Sequence, residues 1–424
     1  GGGVCMRDKK AKILIFISLF ALCLAGCGES DGGGEKHLKV LTEHQYKKKV
    51  EDAVSYTEQK NPKMTIEVDY ISSDEENRET ELQKLRTQIM AGKGPDVYLL
   101  DNMMSIDMMY MEDDKRMPLF ENPYKTMQSG ALASLNRYME KDSYWEKSTY
   151  QKEFLNAGQY KEKQYIIPLS VECRYLISDE NHLEHLKEKN LAEWLIEAEK
   201  TSNINLKQLM LSCRSWGGEW LQEAADYEEK EVLFEKDAWM EFYMNQTLYN
   251  REQYRQVGLA TYGTFAHITS DRQSILTVPN ITGKRLASIH AFGAVGMSSS
   301  YKEEAYEFLM LFLNDEAKTE LEEVGLGTSL DGTIDIQTPV QESGLDELLV
   351  LREIEEEQMN LLKEAYRELE GAYFYTETEQ TLNEKVYEAT SRFEDPNADF
   401  KQWEATASEL AEWAYKNYEM QIAE

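Results

Sequence analysis

A chain of 424 residues is too long for one ordinary hydrophobic core and predicts two domains or lobes. Its 78 acidic residues against 46 basic ones give a formal charge of −32, which excludes nucleic acid as a partner, because phosphate binding needs clustered Lys and Arg. Hydrophobic residues at 42% and aromatic residues at 11% exclude a disordered chain in spite of that charge.

Met6 reads as a start, followed by a basic stretch with Arg7, Lys9, Lys10 and Lys12, and then the apolar run Ile13 to Leu24. The run is shorter than the roughly 20 residues that span a bilayer, but it has the length of a signal-peptide core. It closes in Leu24-Ala25-Gly26-Cys27, which resembles the lipobox of bacterial lipoproteins. That resemblance implies a signal peptide over residues 6–26 and a diacylated Cys27 as the mature N-terminus. A Gly-rich polar tether over residues 27–37 follows. Only Cys173 and Cys213 then remain for the folded body, and a chain of this length does not need the one bridge open to them.

In the mature chain Leu38 to Thr42 is a strand candidate, and a helix follows with Val50, Val54 and Thr57 on one face until Asn61-Pro62 breaks it. Thr65 to Ile71 alternates as a half-buried strand does, with Ile66, Val68 and Tyr70 on one side. A second helix carries Leu82, Leu85 and Ile89 and stops at Gly92; Gly94-Pro95-Asp96 turns into the buried strand run Val97 to Leu100. This β-α-β-α-β order predicts a parallel sheet covered by helices. Ser288 to Met297 reads as strand and turn, and Ala305, Phe308, Leu309, Phe312 and Leu313 mark a strongly amphipathic helix. From Glu342 the chain is mostly helical, and Trp403, Ala407, Leu410 and Ala414 mark a final packed helix.

Several segments in order resemble the extracellular solute-binding proteins of ABC importers, in the sugar-binding branch that includes the maltodextrin binders. Met90 to Val97 is similar to that family's "aGxGPDv" turn, Leu135-Asn136-Arg137-Tyr138 to its "L-x-x-Y/F" element, and Gln164 to Pro168 to its "k-Y-g-i-P" segment. Ala305 to Asn314 is similar to its "aweFlkfL" helix. The resemblance implies a periplasmic-binding-protein-like α/β fold, two lobes with a hinge and an interlobe cleft. Lobe 1 is expected over 38–170 and 288–330, lobe 2 over 171–287 and 331–424. It also implies a monomer on the extracytoplasmic face of a cell membrane, held there only by its lipid anchor, with a small-molecule ligand, carbohydrate foremost, and ABC permease subunits as partners. No cofactor is implied.

Capturing a polyol from water takes charged or amide groups for the hydroxyls and flat aromatic faces for the C–H side of each ring. An α/β sheet offers such groups beyond the carboxyl ends of its strands. These loops contain Glu43, His44, Gln45 and Tyr46 after the first strand and Asp101 and Asn102 after the third. Ile167 to Glu172 resembles the maltodextrin binders' "IPYAVE", which implies that Glu172 contacts ligand hydroxyls. Tyr262-Gly263-Thr264-Phe265 resembles their "N-G-P-W", which puts Phe265 at a stacking position beside Tyr262. Trp216, next to paired glycines, and His290 and Phe292, beyond a late strand, complete the candidates together with Phe374. Tyr373-Phe374-Tyr375 cannot all face one core, so at least one of the three is expected at the surface or in the cleft. Leu99-Leu100 stands where maltodextrin binders carry Trp, so maltodextrin itself is not implied.

No hydrolase triad, HExxH, P-loop or dinucleotide fingerprint occurs, so an enzyme is not expected. His182 and His185 suit a solvated helix face better than a metal site. Two other classes stay open: a sensory lipoprotein serving a membrane kinase, and an exported glycoside hydrolase whose carboxylate pair no motif singles out.

Overall fold

The structure is a computed structural model that describes residues 34–102, 117–173, 175–178, 184–200, 223–251, 261–263, 274–314, 338–351, 354–393, 397 and 399–424. Cys27, Trp216, Phe265, His182 and Cys213 lie outside the described residues, while Cys173 is a buried thiol.

The chain opens as its periodicities predict. Strand β1 (Lys36–Glu43) leads through a short turn into the helix Lys47–Lys60, which buries Val50 and Ala53. The helix stops at Asn61 because the residue before a proline is pushed out of helical geometry. Strand β2 (Met64–Ile71) is followed by the helix Glu75–Met90. That helix ends in a Schellman pair: Gly92 N–H donates to Ile89 O at 3.0 Å and Lys93 N–H to Gln88 O at 2.9 Å. The motif requires the left-handed φ of +72° that Gly92 adopts without a side-chain clash. Strand β3 (Val97–Asp101) is buried at every position and runs parallel to β1, with Val40 opposite Val97.

A small hairpin, β4 (Gln159–Tyr160) and β5 (Lys163–Gln164), precedes two short strands, β6 (Ile166–Pro168) and β7 (Ser170–Glu172), separated by Leu169 alone. Next come β8 (Tyr175–Ser178), a second hairpin β9 (Ala225–Asp226) and β10 (Glu231–Val232), and strands β11 (Thr261–Gly263) and β12 (Ser274–Thr277). The stretch expected as one strand and turn is two strands, β13 (Leu286–Ile289) and β14 (Ala291–Val295), with His290 as the single residue between them. Last are β15 (Thr338–Pro339) and β16 (Gly371–Tyr373).

These strands make two α/β lobes. The first sheet has the order β2-β1-β3-β14-β6, and the second β15-β7-β13-β16, with a further sheet β11-β8-β12. β6 and β14 belong to the first sheet, and their immediate neighbours β7 and β13 to the second. The chain therefore passes between the sheets at Leu169 and again at His290. The two passages are hydrogen-bonded side by side: Leu169 N–H donates to Ala291 O at 2.8 Å and His290 N–H to Ser170 O at 2.9 Å.

The helix Lys302–Met310 packs on β14 so closely that a Cβ at Gly293 would lie 2.0 Å from Leu309 Cδ1. Ala305, Phe308, Leu309, Phe312 and Leu313 are all buried, as their spacing predicts. A separate aromatic core joins the helices Lys236–Arg251, Glu377–Phe393 and Phe400–Ala423. In it Trp239 stacks on Tyr243 with centroids 5.0 Å apart, and Trp403 lies tilted against Tyr243 with centroids 4.5 Å apart. Among the described residues no helix is long and apolar enough to cross a membrane.

Candidate functional site

Three of the sequence-derived candidates meet where the chain passes between the sheets. Asp101 ends β3, Glu172 ends β7, and His290 is the passage residue itself. His290 Nδ1 lies 3.4 Å from Asp101 Oδ2, and its Nε2 lies 3.6 Å from Glu172 Oε2. These are ion-pair contacts, longer than an ordinary N–H···O bond. All three groups are withdrawn from solvent, with relative exposures of 3% for Asp101, 3% for Glu172 and 9% for His290. Burial by itself would lower the imidazole pKa, but the negative charges of Asp101 and Glu172 so close to its two nitrogens outweigh it. They hold His290 well above the ordinary histidine value.

The loop after β1 supports this group. Gln45 Nε2 donates to Asp101 Oδ2 at 2.8 Å and Tyr46 Oη donates to the same oxygen at 2.5 Å. Asn102 N–H donates to His290 O at 2.9 Å. With both its amide atoms satisfied, the Asn102 side chain spans to the main chain of Tyr375. There Nδ2 donates to O at 3.2 Å, and Oδ1 accepts from N at 3.0 Å. His44 is exposed and meets Tyr70 edge to face.

Other candidates lie differently from what the sequence leads one to expect. Glu43 is not a loop carboxylate open to a ligand, because Arg78 grips both its oxygens, Nη1 at 2.7 Å and Nη2 at 3.1 Å, inside the protein. Phe292 and Phe374 are core side chains packed edge to face at 5.3 Å, so neither leaves a ring face open for stacking. The run Tyr373-Phe374-Tyr375 is buried throughout, contrary to expectation. Phe374 joins the main core, while Tyr373 and Tyr375 point to the opposite side and form a small cluster with Leu286; alternation is kept because both sides are covered. Tyr262 lies in β11 opposite Leu176.

Sequence reasoning missed Arg78, which sits in the first turn of the helix Glu75–Met90 with no motif around it, and the roles of Tyr46 and Tyr375. Only Tyr46 carried a signal, as part of the polar loop after β1. Elsewhere a concavity of about 350 Å³ is lined by Tyr124, Gln128, Tyr160, Tyr227, Lys284 and Glu370 among others and includes none of the Asp101, Glu172 and His290 group. Two of its walls, Tyr124 and Tyr227, stack with ring centroids 4.9 Å apart.

No family model and no curated protein matches the chain. Solved structures do match. An extracellular solute-binding protein family 1 member from Alicyclobacillus acidocaldarius aligns with a TM-score of 0.58 at 14% identity, over 92% of this chain and 100% of that one. The sugar-binding protein MalE from Xanthomonas citri aligns with a TM-score of 0.57 at 11% identity, over 91% and 98%. A periplasmic oligogalacturonide binding protein from Yersinia enterocolitica aligns with a TM-score of 0.54 at 13% identity, over 92% and 99%. A designed esterase is also among the structures that match, so the likeness does not by itself separate binding from catalysis. At these identities the likeness is one of fold: the chain has the two-lobed α/β architecture that extracellular solute-binding proteins share.

Proposed function

We propose that this protein captures a sugar between its two lobes and delivers it to an ABC permease. One observation carries the reading: Asp101, Glu172 and His290, drawn from both sheets, converge at the passage between them. Carboxylates are strong acceptors for hydroxyl hydrogen bonds, and a group built jointly by two lobes changes its geometry when they close. That solved structures of similar fold include a sugar-binding protein and an oligogalacturonide binding protein supports the choice of ligand class. Capture rather than turnover is the role, and Trp216, Tyr262 and Phe265 are the aromatic positions to examine for stacking. Cys27 would hold the protein at the membrane surface through acyl chains; Cys27→Ser should abolish lipid labelling and release the protein.

The test is a thermal-shift screen against neutral mono- and oligosaccharides, followed by calorimetric titration of the best hit. Ligand that binds only the folded state raises the melting temperature, and the rise grows with the logarithm of the free ligand concentration above Kd. Glu172→Gln removes a charge while keeping the shape. It should weaken the hit by about 10- to 150-fold, the equivalent of about 1.5–3 kcal/mol for a charge-assisted hydrogen bond. No shift with any sugar, or release of new reducing ends from an oligosaccharide, would overturn the reading.

A further inference from the structure

The passage at His290 has a property that does not depend on any ligand. A neutral imidazole carries one N–H and one lone pair, whereas both ring nitrogens here face carboxylates. Neutral, the ring would turn a lone pair toward either Asp101 or Glu172; only the imidazolium donates in both directions. The two carboxylates also belong to different lobes: Asp101 ends a strand of the first sheet and Glu172 a strand of the second. The main chain of His290 is tied on both sides as well, its N–H to Ser170 and its carbonyl to the Asn102 N–H.

We propose that His290 is a proton-controlled tie between the lobes: as the imidazolium it holds Asp101 and Glu172 together across the passage, and loss of its proton at alkaline pH releases one of them and loosens the hinge. The groups acting on its charge are Asp101 and Glu172, with Gln45 and Tyr46 behind Asp101. Since the folded state holds this proton more tightly than the unfolded chain, the stabilisation is complete below the unfolded value near 6.5 and is lost as pH rises through the higher folded value. Buried ion groups cost desolvation and are often replaceable by apolar side chains without loss. Stability alone is therefore a weak reason to put three of them at a passage, and a switch is a better one.

The tie makes no assumption about the ligand, so its failure and the failure of sugar binding are separate results. The experiment uses unliganded wild-type protein with carbon-13 in its histidine rings, titrated from about pH 5.5 to about pH 10. One ring should stay protonated well past the ordinary value of about 6.5, and Glu172→Gln should lower that midpoint by about one unit or more. Small-angle scattering on the same samples should show the radius of gyration rising through the same midpoint, and the step should move with Glu172→Gln. The wild-type measurements stand even if that variant folds poorly. Ordinary titration of every ring overturns the proposal, and so does a high midpoint with an unchanged scattering profile.

Discussion

Glu43 and Asp101 close neighbouring parallel strands, both are buried, and their surroundings treat them in opposite ways. Glu43 receives a guanidinium on both oxygens, and Arg78 gives two further donors to Met117 O at 2.8 Å and Ser72 O at 3.1 Å. That unit is closed: an always-charged guanidinium meets both oxygens of the carboxylate in a two-pronged pair. Asp101 receives instead an amide, a phenol and a titratable imidazole that it shares with Glu172. Glu379 is a third case, with no cation bonded to it among the described residues. It accepts from Thr376 N at 3.1 Å and from the Thr376 hydroxyl, and burial pushes its pKa up to about 7. Three carboxyls at similar depth thus differ in what neutralises them: a guanidinium, a shared imidazolium, or a proton of their own. A fixed pair suits scaffolding, and the imidazolium alone offers a charge that can switch between lobes.

The contrast can be broken first at Arg78. Arg78→Ala leaves Glu43 buried without its cation and should cost about 3–5 kcal/mol in chemical denaturation. A loss below about 1 kcal/mol would mean that Glu43 can find water or another donor, and the closed-unit description would fall.

Glu379→Gln works in the other direction. A carboxyl whose folded pKa is raised from 4.5 to about 7 contributes stability that is complete below the unfolded value and is lost as pH rises to about 7. The amide removes that loss and keeps an acceptor for Thr376. The variant should match wild type near pH 4 and exceed it by up to about 3 kcal/mol at pH 8, read from melting curves at both values. Equal stability at pH 8 would show that Glu379 ionises in the folded state at little cost.

Tyr46→Phe is the smallest probe. It removes one donor to Asp101 while the Gln45 and His290 contacts remain, so about 2 kcal/mol is expected from equilibrium unfolding. The same change should raise the His290 midpoint, because Asp101 then depends more on the imidazolium. A lowered midpoint would mean that the phenol orients Asp101 toward His290.

The sequence by itself determined the elements. Period-two and period-3.6 apolar spacing, Asn61-Pro62 and Gly92 set β1, β2, β3 and the two helices between them. The helix Lys302–Met310 follows from the spacing of Ala305, Phe308 and Leu309. These are local signals, decided by residues within a turn or two of one another. Local pattern also marked Asp101 and His290 as residues beyond strand ends, and a resemblance marked Glu172, though nothing local showed that they face one another. That belongs to the tertiary structure, which brings positions 101, 172 and 290 together by placing β3, β7, β13 and β14 around one passage. The same holds for Glu43 and Arg78, 35 residues apart, because a charge in a sequence does not specify its counter-charge. Phe292 and Phe374 show the converse: their residue type suits a ligand face and a core equally. What decided was that β14 lies between β3 and β6 with Phe120 and Phe374 packed on Phe292, and that the segment after β16 is covered on both sides, so that each ring is surrounded before any ligand could reach it.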